Sequence, residues 1–244
     1  QYAHLPMILA ADKSKLSKRH GATSIAEYHE LGYLPDALVN YMALLGWTPN
    51  DSSQEILTKN EMIEQFDDIS KIHKSGAVFN VQKLNWINSQ YIKTYNVGVL
   101  AKLVQPFVKK YFGDQASEYV EKIVPLFRER LEYLDQVKEF HFFFREPEYN
   151  KELLRWKSAN GQEIKKSLEK VGKIIENGEF NNKALLRSDL DSLGEELGDR
   201  GLAYWPFRVA LTGEKASPDP VDVAWALGKE KTLERVNAAI NKAG

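Results

Sequence analysis

Residues 35–46 read Pro-Asp-Ala-Leu-Val-Asn-Tyr-Met-Ala-Leu-Leu-Gly, a pattern typical of an amphipathic helix. The large apolar side chains recur at spacings of three and four, at Leu38, Tyr41, Met42 and Leu45. That spacing places them on one helical face. Proline suits the first turn of a helix and glycine its end, so we predict a helix that begins at Pro35 and ends at Gly46.

The same period continues through most of the chain and predicts a mainly α fold. Further helical segments are predicted over residues 99–112, 119–144, 151–156, 161–177, 183–197, 221–227 and 230–240. Within 119–144 the apolar stripe consists of Ile123, Phe127, Leu131, Leu134 and Val137. The apolar run Leu5–Ala10 is short enough for a buried strand that leads into a polar loop. We find no repeat of 20–50 residues, which argues against a solenoid.

Composition limits the possible functions of this chain of 244 residues. Its 43% hydrophobic and 27% charged residues are ordinary for a folded protein of two or three domains. Because 33 Lys and Arg nearly balance 34 Asp and Glu, any nucleic-acid site must be local. The chain has no cysteine, which excludes disulfides and fits a cytoplasmic location. It shows neither a membrane-spanning run nor a signal peptide, and its start at Gln1 predicts a piece of something longer.

The residues with the clearest chemistry form the loop Lys15-Leu16-Ser17-Lys18-Arg19-His20-Gly21. Two lysines and a serine in one polar loop can converge on a polyphosphate, where an ammonium group balances the charge that develops during transfer. A basic loop exposed to solvent is the alternative that spacing alone leaves open.

The surrounding sequence resembles the bacterial glutamyl-tRNA synthetases, which are class I aminoacyl-tRNA synthetases. The loop is similar to their Lys-Met-Ser-Lys-Ser-type signature in its Lys-Leu-Ser-Lys-Arg form. The resemblance covers essentially the whole chain. It is carried by His4-Leu5-Pro6, the loop itself, Gly32-Tyr33-Leu34-Pro35-Asp36-Ala37-Leu38, Asn40-Tyr41, Ala43-Leu44-Leu45-Gly46-Trp47, Lys74-Ser75-Gly76-Ala77-Val78-Phe79, Lys83-Leu84, Trp86, Arg208-Val209-Ala210-Leu211-Thr212-Gly213 and Leu227-Gly228-Lys229-Glu230.

This resemblance implies an enzyme that ligates L-glutamate to tRNA(Glu) through a glutamyl-adenylate, using ATP with Mg²⁺. Lys18 is then expected to contact ATP, with Lys15 and Ser17 ordering the catalytic loop and Arg19 belonging to it. The implied domains are the end of the catalytic fold (1–23), a helical stem-contact domain (24–95) and two helical anticodon-binding domains (96–148 and 149–244). No tightly bound cofactor and no metal site are expected, and the protein is expected to be a monomer.

The resemblance also points to anticodon contacts. Arg208 matches the family arginine that reads the first anticodon base, with Ser217 and Pro218 in the loop beside it. Arg130 falls near the arginine that contacts the last base. From the residues alone, a surface ion pair for Arg208 and a solvated helix face around Arg130 remain alternatives. Phe140–Phe144 and Trp156, Trp205 and Trp225 are assigned to packing.

One departure from the family concerns the front of the chain, where none of the five histidines begins a His-x-Gly-His motif. We therefore expect this chain alone to bind tRNA but not to aminoacylate it. A stand-alone helical RNA-binding module without catalysis is the alternative. A glutaminyl-tRNA synthetase fits less well, because that enzyme usually has β-barrel anticodon domains. The sequence leaves open whether tRNA(Gln) is also a substrate.

Overall fold

The computed structural model describes residues 5–17, 19 and 24–244. In that part the chain is mainly helical, as predicted. The α-helices are α1 (Ile25–Glu30), α2 (Pro35–Gly46), α3 (Lys59–Gln65), α4 (Val81–Thr94), α5 (Val97–Phe112), α6 (Ser117–Phe127), α7 (Gly161–Asn177), α8 (Lys183–Glu196), α9 (Arg200–Thr212), α10 (Pro220–Leu227) and α11 (Lys229–Ala243). The chain divides into two compact units, Gln1–Glu139 and Phe140–Gly244. None of the helices in the described ranges is long and apolar enough to cross a membrane.

Two buried amide side chains hold the first unit together. The Asn40 Oδ1 on α2 accepts hydrogen bonds from the Leu57 amide at 3.0 Å and the Tyr91 hydroxyl at 2.9 Å. The Asn88 Oδ1 on α4 accepts one from the Leu34 amide at 2.8 Å. Burying a polar group is costly unless it is paired, so these bonds define how α2 and α4 sit against their loops.

The predicted helical segment 119–144 is interrupted in the structure. α6 ends at Phe127, and 3₁₀ segments follow over Arg128–Arg130 and Leu134–Phe143, the latter kinked at Phe140. The Gln136 Oε1 accepts from the Glu132 amide at 2.7 Å, and the Leu134 amide donates to the Gly32 carbonyl at 3.2 Å. A nearby side chain and a distant carbonyl thus take backbone donors that a continuous helix would have used. The apolar stripe is buried all the same.

Three other segments differ from the prediction. Leu5–Ala10 is extended, but within the described residues it forms only isolated bridges at Leu9 instead of a strand. The segment 151–156 is a single 3₁₀ turn over Lys151–Leu154, followed by extended backbone at Arg155. α9 was not among the helices predicted. The indole of Trp156 lies 5.5 Å from that of Trp205, and the Trp205 Nε1 donates to the Leu153 carbonyl at 2.8 Å, so both rings pack as expected.

The second unit contains α7 to α11. α7 begins at Gly161 because Asn160 caps it, with Glu163 completing a capping box. α10 begins at Pro220 behind the cap Asp219. The apolar faces of α7, α9 and α11 meet in one cluster of buried residues, namely Leu154, Ile164, Leu168, Val209, Ala210 and Ala239.

A fully buried arginine on α11 ties three segments of this unit together. The Arg235 Nη1 donates to the carbonyls of Phe142 at 2.8 Å and Leu211 at 2.6 Å. Its Nη2 donates to the Arg145 carbonyl at 2.7 Å, and its Nε donates to Glu146 at 3.2 Å. Because a buried guanidinium needs oxygen partners, these bonds constrain the end of α9 and the backbone of residues 142–146 relative to α11.

We expect Arg235→Met to lower the free energy of unfolding of the second unit by about 3 kcal/mol, since the buried carbonyls of Phe142 and Leu211 and the partly buried carbonyl of Arg145 lose their donor. Lys231→Met is the matched control, because Lys231 also faces Glu146, at 3.9 Å, but from the surface. That change should cost about 0.5 kcal/mol or less. Urea denaturation followed by circular dichroism measures both, and equal effects would contradict the role given to Arg235.

Candidate ATP loop and candidate nucleic-acid interface

The loop with the Lys-Leu-Ser-Lys-Arg motif begins as a tight hairpin. The Leu16 amide donates to the Ile8 carbonyl at 3.1 Å, and the Ala10 amide donates to the Ser14 carbonyl at 2.8 Å. At the turn, the Asp12 carboxylate accepts from the Ser14 amide at 2.9 Å and its hydroxyl at 2.7 Å. Local hydrogen bonds of this kind favour a turn over a helix.

This hairpin rests on the backbone of residues 77–80. The Leu9 amide donates to the Ala77 carbonyl at 2.9 Å, and the Leu9 carbonyl accepts from the Phe79 amide at 2.8 Å. The next residue, Asn80, caps α4 and exchanges two hydrogen bonds with the Tyr41 hydroxyl on α2, at 2.6 and 3.0 Å. Burial raises the pKa of Tyr41 to about 12, so its hydroxyl keeps the proton it donates. The hairpin is therefore connected, through residues 77–80, to the packed helices α2 and α4.

The predicted loop residues lie on this hairpin and directly after it. Lys15 pairs with Leu9 in an antiparallel bridge, and the side chains of Lys15, Ser17 and Arg19 are exposed. Lys18 and His20 lie outside the described residues. Among the residues that the structure does describe, no group of three His, Asp or Glu side chains has the arrangement of a metal site.

The second candidate site is built around Arg208 on α9. Its Nη1 donates to the Ser217 carbonyl at 2.8 Å, the Ser217 Oγ at 2.9 Å and the Pro218 carbonyl at 3.2 Å. Ser217 and Pro218 are buried, whereas Arg208 is half-buried. The structure thus brings together three residues that the sequence analysis had grouped. It also shows that the guanidinium braces the loop between α9 and α10.

A second arginine holds the same loop from α8. The Arg187 guanidinium makes a bidentate pair with the Asp219 carboxylate, at 2.9 and 2.8 Å. The Asp219 Oδ1 also accepts from the Val221 amide at 2.9 Å and so caps α10. Burial by itself would raise the pKa of Asp219, but the hydrogen bonds and charge of Arg187 lower it below its usual value. Arg187 was not among the predicted site residues, since nothing local marks a partner 32 residues away.

Both regions lie within ranges that match known protein families. The profile of the anticodon binding domain family matches residues 99–240, more than half of the chain. The profile of the class I tRNA synthetase catalytic domain, of the E and Q type, matches residues 1–86. Glutamate–tRNA ligase 1 of Caldanaerobacter subterraneus subsp. tengcongensis is 39% identical over 245 residues, which cover 98% of this chain.

The chain belongs to the glutamyl-tRNA synthetase family. Solved structures of the family share its fold. A glutamate tRNA ligase from Elizabethkingia meningosepticum, crystallised in complex with its amino acid, is 30% identical with a TM-score of 0.85 over 99% of this chain. The glutamate–tRNA synthetase of Elizabethkingia anophelis is 32% identical with a TM-score of 0.83 over 98% of it. The chain spans about half the length of these relatives, 50% of the Caldanaerobacter ligase and 51% and 50% of the two solved chains.

Arg130, the other predicted anticodon residue, belongs to the first unit. It ends the 3₁₀ segment Arg128–Arg130 and is exposed. The neighbouring Arg128 has a buried Nε that lies 3.4 Å from a carboxylate oxygen of Glu129. The assignment of Arg130 stays a prediction, as do the roles of Lys15, Ser17, Lys18 and Arg19 and the bounds of the four domains.

We expect Gly76→Ala to loosen the seat of the loop. A Cβ at Gly76 would lie 2.9 Å from the Met7 carbonyl oxygen and 3.1 Å from the Leu9 Cδ1, so the backbone would have to shift. Exchange of the Leu9 and Phe79 amide protons should accelerate by about tenfold or more. Gly46→Ala is the control, since a Cβ there meets nothing within 4 Å. Unchanged exchange in Gly76→Ala would show that the loop does not depend on this contact.

Proposed function

We propose that this chain is the tRNA-binding part of a glutamate–tRNA ligase and also carries its ATP loop. The longer enzyme would activate L-glutamate with ATP and Mg²⁺ and transfer it to tRNA(Glu). The order of the matched families supports this proposal, because a partial catalytic domain precedes an anticodon binding domain. The names of the curated relatives, glutamate–tRNA ligases, supply the amino acid and the nucleic acid.

One observation carries the proposal most directly, the arrangement of Arg208 with Ser217 and Pro218. One guanidinium nitrogen, Nη1, contacts three oxygens at 2.8–3.2 Å and so fixes the orientation of the group. A planar, multidentate donor that is already oriented suits the edge of an unstacked base, and single-stranded loops are recognised through such edges. In our proposal Arg208 reads the first anticodon base and Arg130 contacts the last one.

The ATP loop has its own part in the proposal. Lys18 would contact the phosphates of ATP, with Lys15, Ser17 and Arg19 ordering the loop around them. The exposure of Lys15, Ser17 and Arg19 on a hairpin seated on packed helices supports this role, because such a loop can close over a ligand while its base stays in place.

Arg208→Ala should weaken binding of this chain to tRNA(Glu) by about 1–3 kcal/mol and flatten the preference among tRNAs that differ only at the first anticodon base. Arg208→Lys keeps the charge but not the planar fork, so it should restore affinity more than selectivity. Arg155→Ala, which removes an exposed arginine of the same unit, is the control. Fluorescence anisotropy at two salt concentrations measures all three variants.

The outcome of that experiment separates three roles for Arg208. A loss of affinity equal for all tRNAs, with a weaker salt dependence, would indicate a phosphate contact instead of a base reader. Binding that is as tight and as selective as in the parent chain would overturn the anticodon role.

The ATP loop is tested by ATP–pyrophosphate exchange. We expect no glutamate-dependent exchange by the 244-residue chain alone. In a protein extended to the length of its relatives, Lys18→Ala should slow adenylate formation by about 100-fold, because one charge contact to the transition state is lost. Its tRNA affinity should stay the same. Exchange by the short chain, or unchanged activation in the variant, would contradict this assignment, and an inactive extended protein would favour an RNA-binding module.

A further inference from the structure

The loop between α9 and α10 is held at two successive points by arginines from two different helices. Arg208 on α9 donates to Ser217 and Pro218, whereas Arg187 on α8 pairs with the next residue, Asp219. Pro218 and Pro220 flank Asp219, and each proline ring restricts its own backbone φ. A segment with so little backbone freedom moves largely as a unit, so the position of Asp219 controls that of Ser217 and Pro218.

The Arg187–Asp219 pair has the geometry of a positioning device. Both carboxylate oxygens accept from separate guanidinium nitrogens, at 2.8 and 2.9 Å, which defines the orientation of the carboxylate as well as its distance. The two side chains are about two-thirds buried, with 39% and 35% of their surfaces exposed. The lowered pKa of Asp219 shows that the carboxylate is stabilised in its charged form.

A neighbouring ion pair that also starts from α8 lacks this connection to the loop. Lys183 lies one turn before Arg187 on α8 and contacts Asp222 at 2.9 Å through a single hydrogen bond. Asp222 lies within α10 and not in the loop. Both pairs have the same charges and start from α8, but only the Arg187–Asp219 pair holds a residue next to Ser217 and Pro218.

We propose that Arg187 and Asp219 form a positioning pair that sets how selectively the Arg208 site reads its base. The pair acts through the loop, without touching the base. This inference rests on the proposed anticodon role of Arg208. Preorganisation is the physical reason: a loop ordered before binding loses less conformational freedom on binding, and a misplaced loop would disturb all three acceptors of Arg208.

The test compares Arg187→Ala, Asp219→Asn and the double variant for binding to tRNAs that differ only at the first anticodon base. Asparagine can still cap α10, so Asp219→Asn removes the charge while keeping the helix start. We expect each single change to reduce the discrimination ratio by about tenfold. The double variant should be no worse than either single variant, because both changes break one interaction. Lys183→Ala should leave the ratio unchanged.

The two single variants also separate this proposal from a direct phosphate contact by Arg187. If Arg187 bound phosphate, Asp219→Asn would free its charge and strengthen binding to every tRNA, whereas a positioning pair loses selectivity on either side. Thermal melts of each variant establish that the second unit is folded. Unchanged discrimination in folded Arg187→Ala and Asp219→Asn, with Arg208→Ala still impaired, would overturn the positioning pair alone. No effect of Arg208→Ala would instead remove the proposed reading site.

Discussion

A buried positive charge needs hydrogen bonds to oxygen atoms. In the second unit this requirement constrains the segments that pack around Arg235. Its guanidinium donates to the carbonyls of Phe142, Arg145 and Leu211, which lie 24 to 93 positions before Arg235 in the chain. Losing any of these partners would leave a charge or a carbonyl unsatisfied in the interior, at a cost far above that of a surface contact. The last turn of α9 is therefore held against α11.

The position of Arg208 depends on that constraint. It lies one turn before Leu211 on α9, and its own carbonyl accepts from the Thr212 hydroxyl at 2.8 Å. Arg235 therefore holds the same end of α9 that carries Arg208, the candidate base reader. An arginine on a firmly held helix is already oriented before RNA binds, so it loses little conformational entropy on binding. In the first unit, buried polar groups also hold helices in place. The side-chain amides of Asn40 and Asn88 hold α2 and α4, which support the candidate ATP loop.

The charges around the candidate nucleic-acid interface agree with the near-neutral composition of the chain. Arg187, Arg200 and Lys183 each contact an aspartate, namely Asp219, Asp191 and Asp222. A surface of paired charges attracts a phosphate backbone less strongly than a field of free cations does. Recognition here would depend on shape and on hydrogen-bonding geometry, which is why the placement of one loop matters for selectivity.

Local sequence determined the helices whose ends are marked by caps and breakers. Pro35 and Gly46 bound α2, Asn160 caps α7, and Asp219 and Pro220 start α10, because each signal acts within one helical turn. The family resemblance grouped Arg208 with Ser217 and Pro218. Only the tertiary structure decided where 119–144 breaks, since the competing acceptor for Leu134 is the carbonyl of Gly32, about a hundred residues earlier. Likewise, no local pattern pairs Arg187 with Asp219 or Arg235 with its carbonyls, because these partners meet only once the helices pack.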